Sequence, residues 1–337
     1  MTTPAFVAGV DLGGTKILAA IVDETGAIRS RNKMPSVSAK SDQRPGPELI
    51  ADRIALAVQE AAAAAGLGLA DLAAVGASAP GPVNVHSGEV LGAVNLPGWE
   101  KPFPLGPELS TRLHGLPVAV DNDVNLGVWG EVMYGAGRGL RDVVGIFIGT
   151  GIGGGVVLGG ELRHGVRWSA GEIGHMSMHC RGMQADVEAF ASRGAISRQM
   201  HKALAKRKTR ILARIVGERE KAGKGAGITS SVIKQALAAG DPTTVQAVAQ
   251  SQQIVALLIA SIVNLLDPEC VILGGGLVES LGDLYVAPVR RQAYAHFFLQ
   301  QDVERVQIVT AALGDDAVVL GAAALARARF GKATQPG

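Results

Sequence analysis

The alternation of apolar and polar positions sorts the chain into short strands and longer helices. Apolar β-branched runs at residues 6–11 and 17–22 predict two strands separated by the turn L-G-G-T-K. Residues 47–65 have helical composition, with Pro47 where a helix begins and Gly66 where it stops. A strand over 73–79 runs into the rigid turn P-G-P-V-N, and another over 117–120 leads through D-N-D-V-N into a helix reaching Glu131. Runs at 143–148 and 155–158 predict two buried strands joined by Thr150 and glycines. One helix is expected from Glu188 through Met200. Helices over 241–266, 284–298 and 316–330 then alternate with strands over 271–273 and 306–310. The strand, Gly-Thr turn, strand plan occurs twice, so two similar halves are expected, their glycine hairpins facing one another across a cleft.

The two turns carry the first chemistry. Gly149, Thr150 and Gly151 form a nearly bare hairpin tip whose amides and hydroxyl can converge on an anion such as a phosphate. Gly149, Gly151 and Gly154 also satisfy G-x-G-x-x-G, the dinucleotide fingerprint, which requires a helix after the turn. The β-branched, glycine-broken stretch that follows is a poor helix start, so the hairpin reading is preferred. At the earlier turn, Gly13, Gly14 and Thr15 offer donors, Lys16 reads equally as a solvated turn residue, and Asp11 at the strand end either holds Mg²⁺ through water or bonds turn amides.

Other candidates are modest one by one. Asn122 and Asp123 precede a helix, where Asn and Asp are preferred caps; only one cap is needed, and the surplus suggests binding or proton transfer. Asn95 and Trp99 lie in a loop, read first as a turn residue and a surface anchor. Glu172 and His175 stand three apart among glycines, and Glu188 suits a helix start. Gly275 and Gly276 sit in a third glycine cluster, either approaching a base or ribose or forming an ordinary strand-to-helix turn.

Composition narrows the partners. A chain of 337 residues with 47% hydrophobic and 18% charged content is globular and long enough for two lobes. A net charge of +2 gives no drive toward nucleic acid or membrane. The basic stretch 202–224 also contains Glu218 and Glu220 and no aromatic residues, so it reads as a solvated helix face. The two cysteines, Cys180 and Cys270, form no disulfide framework and point to a reducing cytoplasm. The first five residues are too short and polar for a signal peptide, and the apolar run 254–266 is shorter than the roughly 20 residues of a bilayer span.

Taken in order, D-L-G-G-T-K, P-G-P, D-N-D-V-N, I-G-T-G-I-G-G-G, G-E-I-G-H, E-A-F-A-S-R and L-G-G-G-L resemble the ROK family of sugar kinases and sugar-responsive repressors along nearly the whole chain. The resemblance implies an actin-like ATPase (ribonuclease H-like) α/β fold with two lobes and a central cleft: a small lobe of residues 1–119 plus 317–334 and a large lobe of 120–316. It implies ATP and Mg²⁺ as cofactors, a hexose as substrate with glucose first, and a homodimer as assembly. On this likeness Asp11 is the Mg²⁺-associated aspartate and Gly13, Gly14, Thr15, Lys16, Thr150 and Gly151 line the phosphates. Gly275 and Gly276 fall near adenosine, Asp123 is the general base, and Asn95, Asn122, Glu172, His175 and Glu188 bind the sugar. Repressor members carry an N-terminal helix-turn-helix; a strand starting at Phe6 favours the enzyme. One departure stands out. The family's three zinc-binding cysteines fall here on His179, Arg181 and Asp186, so no zinc site is expected and the support of His175 becomes a question.

Overall fold

The computed structural model describes residues 6–36, 46–92, 98–180 and 182–331. Its first elements are β1 (Phe6–Leu12), β2 (Lys16–Val22), β3 (Ile28–Pro35), α1 (Pro47–Ala64), β4 (Leu72–Ala79), β5 (Val83–Asn84), β6 (Glu89–Val90), α2 (Leu105–Arg112), β7 (Val118–Asn122) and α3 (Asp123–Tyr134). There follow β8 (Val143–Ile148), β9 (Ile152–Leu158), β10 (Glu161–Leu162), β11 (Ser177–Cys180), β12 (Met183–Asp186), α4 (Val187–Ala191), α5 (Arg193–Ala205), α6 (Arg210–Lys221) and α7 (Ser230–Ala238). The chain closes with α8 (Pro242–Leu266), β13 (Cys270–Gly274), α9 (Gly276–Leu281), α10 (Asp283–Tyr294), β14 (Gln307–Thr310) and α11 (Ala317–Phe330).

Two compact units result. The first takes the chain up to Gly139, the segment Glu161–Ala170 and everything from Asp315; the second takes Leu140–Gly160 and Gly171–Gly314. This division differs from a boundary at residue 120, and the cause is helix packing. A Cβ on Gly130 of α3 would lie 2.2 Å from the Ala317 carbonyl oxygen, and one on Gly321 of α11 would lie 1.8 Å from that of Leu126. Backbone therefore meets backbone, and α3 is bound to the C-terminal helix of the first unit.

The first unit is built on the sheet β3-β2-β1-β4-β7. Its first three strands are antiparallel and β4 and β7 run parallel to β1. Val10, Leu12, Ile17 and Ile21 pack with Ile54 and Val58 of α1 and Leu109 of α2 in one core. Alternation along β1 sends Gly9 to the other face, where α11 lies. The edge strand β3, I-R-S-R-N-K-M-P, alternates half-buried and exposed positions and escapes a search for apolar runs. Charges along such an edge also discourage pairing with another chain. Trp99 is 1% exposed and packs edge-on against Phe103 at 5.4 Å, so it is a core residue and not a surface anchor.

In the second unit β9, β8, β13 and β14 lie in that order, with β8 and β9 antiparallel and β13 parallel to both β8 and β14. This repeats the order and directions of β2, β1, β4 and β7. Helix α8 is long and apolar enough to cross a membrane, yet 61% of its apolar window is buried, and Val255, Ile259 and Ile262 belong to the unit's core. Ser251 on α8 bonds Tyr285 of α10 at 2.7 Å and donates to the Ala191 carbonyl at 2.6 Å, satisfying polar atoms inside that core. The helix expected from Glu188 to Met200 is two helices, α4 and α5, broken at Ser192, whose hydroxyl accepts from the Ala195 amide and caps α5.

Candidate active site

In the first unit, Asp11 is the penultimate residue of β1, beside β4, and its carboxylate accepts from the Ser78 hydroxyl at 3.2 Å. Burial pushes the Asp11 carboxyl up, the Ser78 bond and Lys16 oppose that, and Asp315 adds to it. A partly buried carboxylate with a second acid nearby gains from a bound cation, so the donor set fits Mg²⁺. The Gly13 amide donates to the Lys16 carbonyl at 2.9 Å, closing the β1–β2 hairpin, and Gly14 and Thr15 stand exposed at its tip.

The β7–α3 junction divides its labour. Asp121 is 1% exposed and accepts from the Asn122 amide at 2.7 Å, the Asn125 carboxamide at 3.1 Å and His164 Nε2 at 2.7 Å. Asn122 caps α3 by accepting from the amides of Val124 and Asn125, and its own amide nitrogen donates to the Gly81 carbonyl at 3.1 Å. The cap reading is therefore correct for Asn122, and its carboxamide is largely engaged by the fold. Asp123, half-buried at the first helical position, accepts from the Val124 amide at 2.9 Å. Asn95 lies outside the described residues.

In the second unit, β8 and β9 pair up to Ile148 and Ile152, and the Gly149 amide donates to the Gly151 carbonyl at 2.9 Å across the Thr150 tip. Strand geometry continues to Leu158, which removes the helix a dinucleotide fingerprint needs. Three neighbours grip this tip. The amides of Arg193 and Gly194 donate to the carbonyls of Gly149 and Thr150 at 3.0 and 3.2 Å, and the Arg193 guanidinium donates to the Thr150 hydroxyl. Glu188 accepts from the Ile152 amide at 2.7 Å. Gly275, at φ +84°, opens α9 so close to β8 that a Cβ there would sit 2.8 Å from the Ile148 nitrogen. Thr150, Gly151, Glu188, Gly275 and Gly276 are thus brought together.

Glu172 and His175 flank a 3-10 turn, Ile173–His175, pressed onto β9; a Cβ on Gly174 would lie 2.0 Å from the Ile152 carbonyl oxygen. Both side chains are exposed, and His175 Nδ1 lies 3.2 Å from Asp186 Oδ2. Among the described residues no group of three His, Cys, Asp or Glu converges as a metal site. A groove of about 700 Å³ lined by Asn264, Phe297, Phe298 and Arg305 among others contains none of the candidate residues. Asp121, His164, Asp186, Arg193 and Asp315 have contacts at the candidate groups that the sequence does not assign to them; Asp121 and Arg193 stand in the quoted motifs without a role, and Asp186 only as a vacated cysteine position.

Two sheets of one strand order, each opening on a glycine-threonine hairpin, have the actin-like ATPase fold, and the glucokinase relatives make the chain an ATP-dependent sugar kinase. The ROK family model matches residues 7–329, and the chain belongs to that family. The glucokinase of Streptomyces coelicolor is 36% identical over 329 residues, which cover 95% of this chain and 96% of the relative. The N-acetylmannosamine kinase of Citrobacter koseri is 31% identical and is covered to 97%, over 94% of this chain. A solved ROK family glucokinase from Streptomyces griseus, in complex with glucose and AMPPNP, matches with a TM-score of 0.77 at 34% identity, over 96% of this chain and 99% of that one.

Proposed function

We propose that the chain transfers the γ-phosphoryl group of Mg-ATP to a hydroxyl of a hexose, with glucose giving glucose 6-phosphate as the first substrate. The observation that carries this reading is the grouping of Glu172, His175 and Glu188 around the Thr150 hairpin, polar side chains suited to sugar hydroxyls beside amides suited to phosphate. The similarity to glucokinases supports glucose; the similarity to N-acetylmannosamine kinase makes that sugar the second reading. Two free cysteines, one of them buried, suit a reducing cytoplasm.

Phosphoryl transfer depends on positioning and charge neutralisation. The sugar oxygen forms a bond to the γ-phosphorus, the bond from that phosphorus to the bridging oxygen breaks, and ADP leaves with the electron pair. Asp123 takes the hydroxyl proton. Asp11, with Asp315 nearby, would hold the Mg²⁺ that arrives with ATP and offsets charge on the phosphates. The Thr150 hydroxyl and the Arg193 guanidinium would supply a donor and a positive charge to a phosphate. ADP release measured across a panel of hexoses tests the reading, and glucose is expected to give the highest kcat/KM. Asp123→Asn should lower kcat by about 10²- to 10⁴-fold with nucleotide binding intact; an unchanged kcat would remove Asp123 as base.

A further inference from the structure

The family pattern resembled by this sequence holds its histidine with zinc, and the residues here do not fit that metal. The hairpin β11–β12 pairs Ser177 with Asp186 at its open end and Cys180 with Met183 near its turn. At about 3.3 Å of rise per residue, His179 and Cys180 lie roughly 7 to 10 Å up the ladder from Ser177. His175 precedes the opposite, open end. Neighbours on a strand point to opposite faces, so Cys180 packs on the core while His179 is exposed, and among the described residues no three such side chains converge on one ion.

The same hairpin supplies another support. The Val187 amide donates to the Met176 carbonyl at 3.0 Å, extending the ladder one step past Ser177 and Asp186. This ties the loop of His175 to the start of α4, which carries Glu188. Asp186 then bonds in both directions, one oxygen accepting from the Ala189 amide at 3.3 Å to cap α4 and the other facing His175 Nδ1 at 3.2 Å. A carboxylate can only accept, so Nδ1 carries a proton, and in the neutral ring the lone pair is then on Nε2.

Resting on the sugar-kinase reading above, we propose that Asp186 is a positioning residue that replaces the metal. It fixes the tautomer and orientation of His175, so that Nε2 accepts from a sugar hydroxyl while α4 holds Glu188 in register with it. The site binds its hexose without zinc.

The test uses the full chain and three variants. Asp186→Ser keeps an α4 cap but offers His175 no carboxylate, Asp186→Asn keeps an acceptor oxygen, and Asp186→Ala keeps neither. Asp186→Ser is expected to raise the hexose KM about tenfold, the scale of lost outer-shell support, with the ATP KM unchanged. Asp186→Asn should recover part of that loss. Nitrogen-15 NMR of His175 should show a protonated Nδ1 in the wild type and mixed tautomers in Asp186→Ala, and elemental analysis should find far less than one zinc per chain. An unchanged hexose KM in Asp186→Ser, the same tautomer in all four proteins, or stoichiometric zinc whose chelation abolishes hexose binding would each overturn the proposal. A wild-type chain that released no ADP with any hexose would instead refute the kinase reading, and the tautomer measurement would still decide the role of Asp186.

Discussion

Arg193 shows how a single side chain can reveal a site that its own position in sequence conceals. It sits in a stretch, F-A-S-R-G-A, that looks like helix interior, yet its guanidinium reaches the Thr150 hydroxyl 43 residues earlier. By donating to that oxygen it leaves the hydroxyl proton available to an anion, and in the proposed reading it adds a fixed positive charge beside the phosphates. Arg193→Ala should lower kcat/KM for ATP by about 10- to 100-fold and leave the hexose KM nearly unchanged in steady-state kinetics, because lost transition-state donors have effects of this order. Arg193→Lys should recover only part, since an ammonium cannot reproduce the fork. Equal losses for both substrates would place Arg193 in the fold and not at the phosphates. Residues of this kind were hidden because their partners are remote: His164 meets Asp121 across 43 positions and His175 meets Asp186 across 11. Asp11, Thr150 and Asp123 stand out as candidates in the sequence because a strand end, a glycine turn and a helix start mark them locally.

Elements that are buried on both faces could be read directly from the chain, and those that are not could not. The runs behind β1, β8 and β13 are nearly continuous apolar segments, whereas β3 hides its strand in alternating charge. The break at Ser192 joins a local cap, its hydroxyl on the Ala195 amide, to the remote carbonyls of Gly149 and Thr150, which claim the amides of Arg193 and Gly194 and leave no trace in composition. The contact of α3 with α11 shows the same dependence on context. Gly321→Ala should destabilise the protein by about 2 kcal/mol in chemical denaturation, within the range for overpacking, because the added methyl meets the Leu126 carbonyl at 1.8 Å. Gly217→Ala in α6, where nothing lies within 4 Å, should stabilise by about 0.8 kcal/mol on helix propensity. Shifts of one sign in both variants would contradict backbone-to-backbone packing of α3 on α11.

At the scale of the whole molecule, stability at low pH should carry the mark of the β2–β3 turn. The Thr25 hydroxyl, joined by the amides of Ala27 and Thr25 and by Arg29, holds the Asp23 carboxyl down to about 2 against the opposing effect of burial. An unfolded aspartate titrates near about 3.9, so this contribution is complete above that pH and is lost as pH falls toward about 2. Asp23→Asn should therefore lower Tm clearly at about pH 7, with the gap closing between about pH 4 and 2. A gap independent of pH would mean that shape, not charge, sets the turn.

The C-terminal helix has one more consequence. Gly9 and Gly76 give α11 its seat on β1 and β4, where a Cβ would come within 2.0 and 1.9 Å of the carbonyl oxygens of Val319 and Ala322. Both strands leave the ribosome about 240 residues or more ahead of the segment that covers them (319 − 76 = 243). At about 5 to 20 residues per second, the nascent sheet waits on the order of tens of seconds for its cover, while the intervening unit can be translated in full. During that interval its uncovered face is where chaperones or neighbouring chains would find purchase.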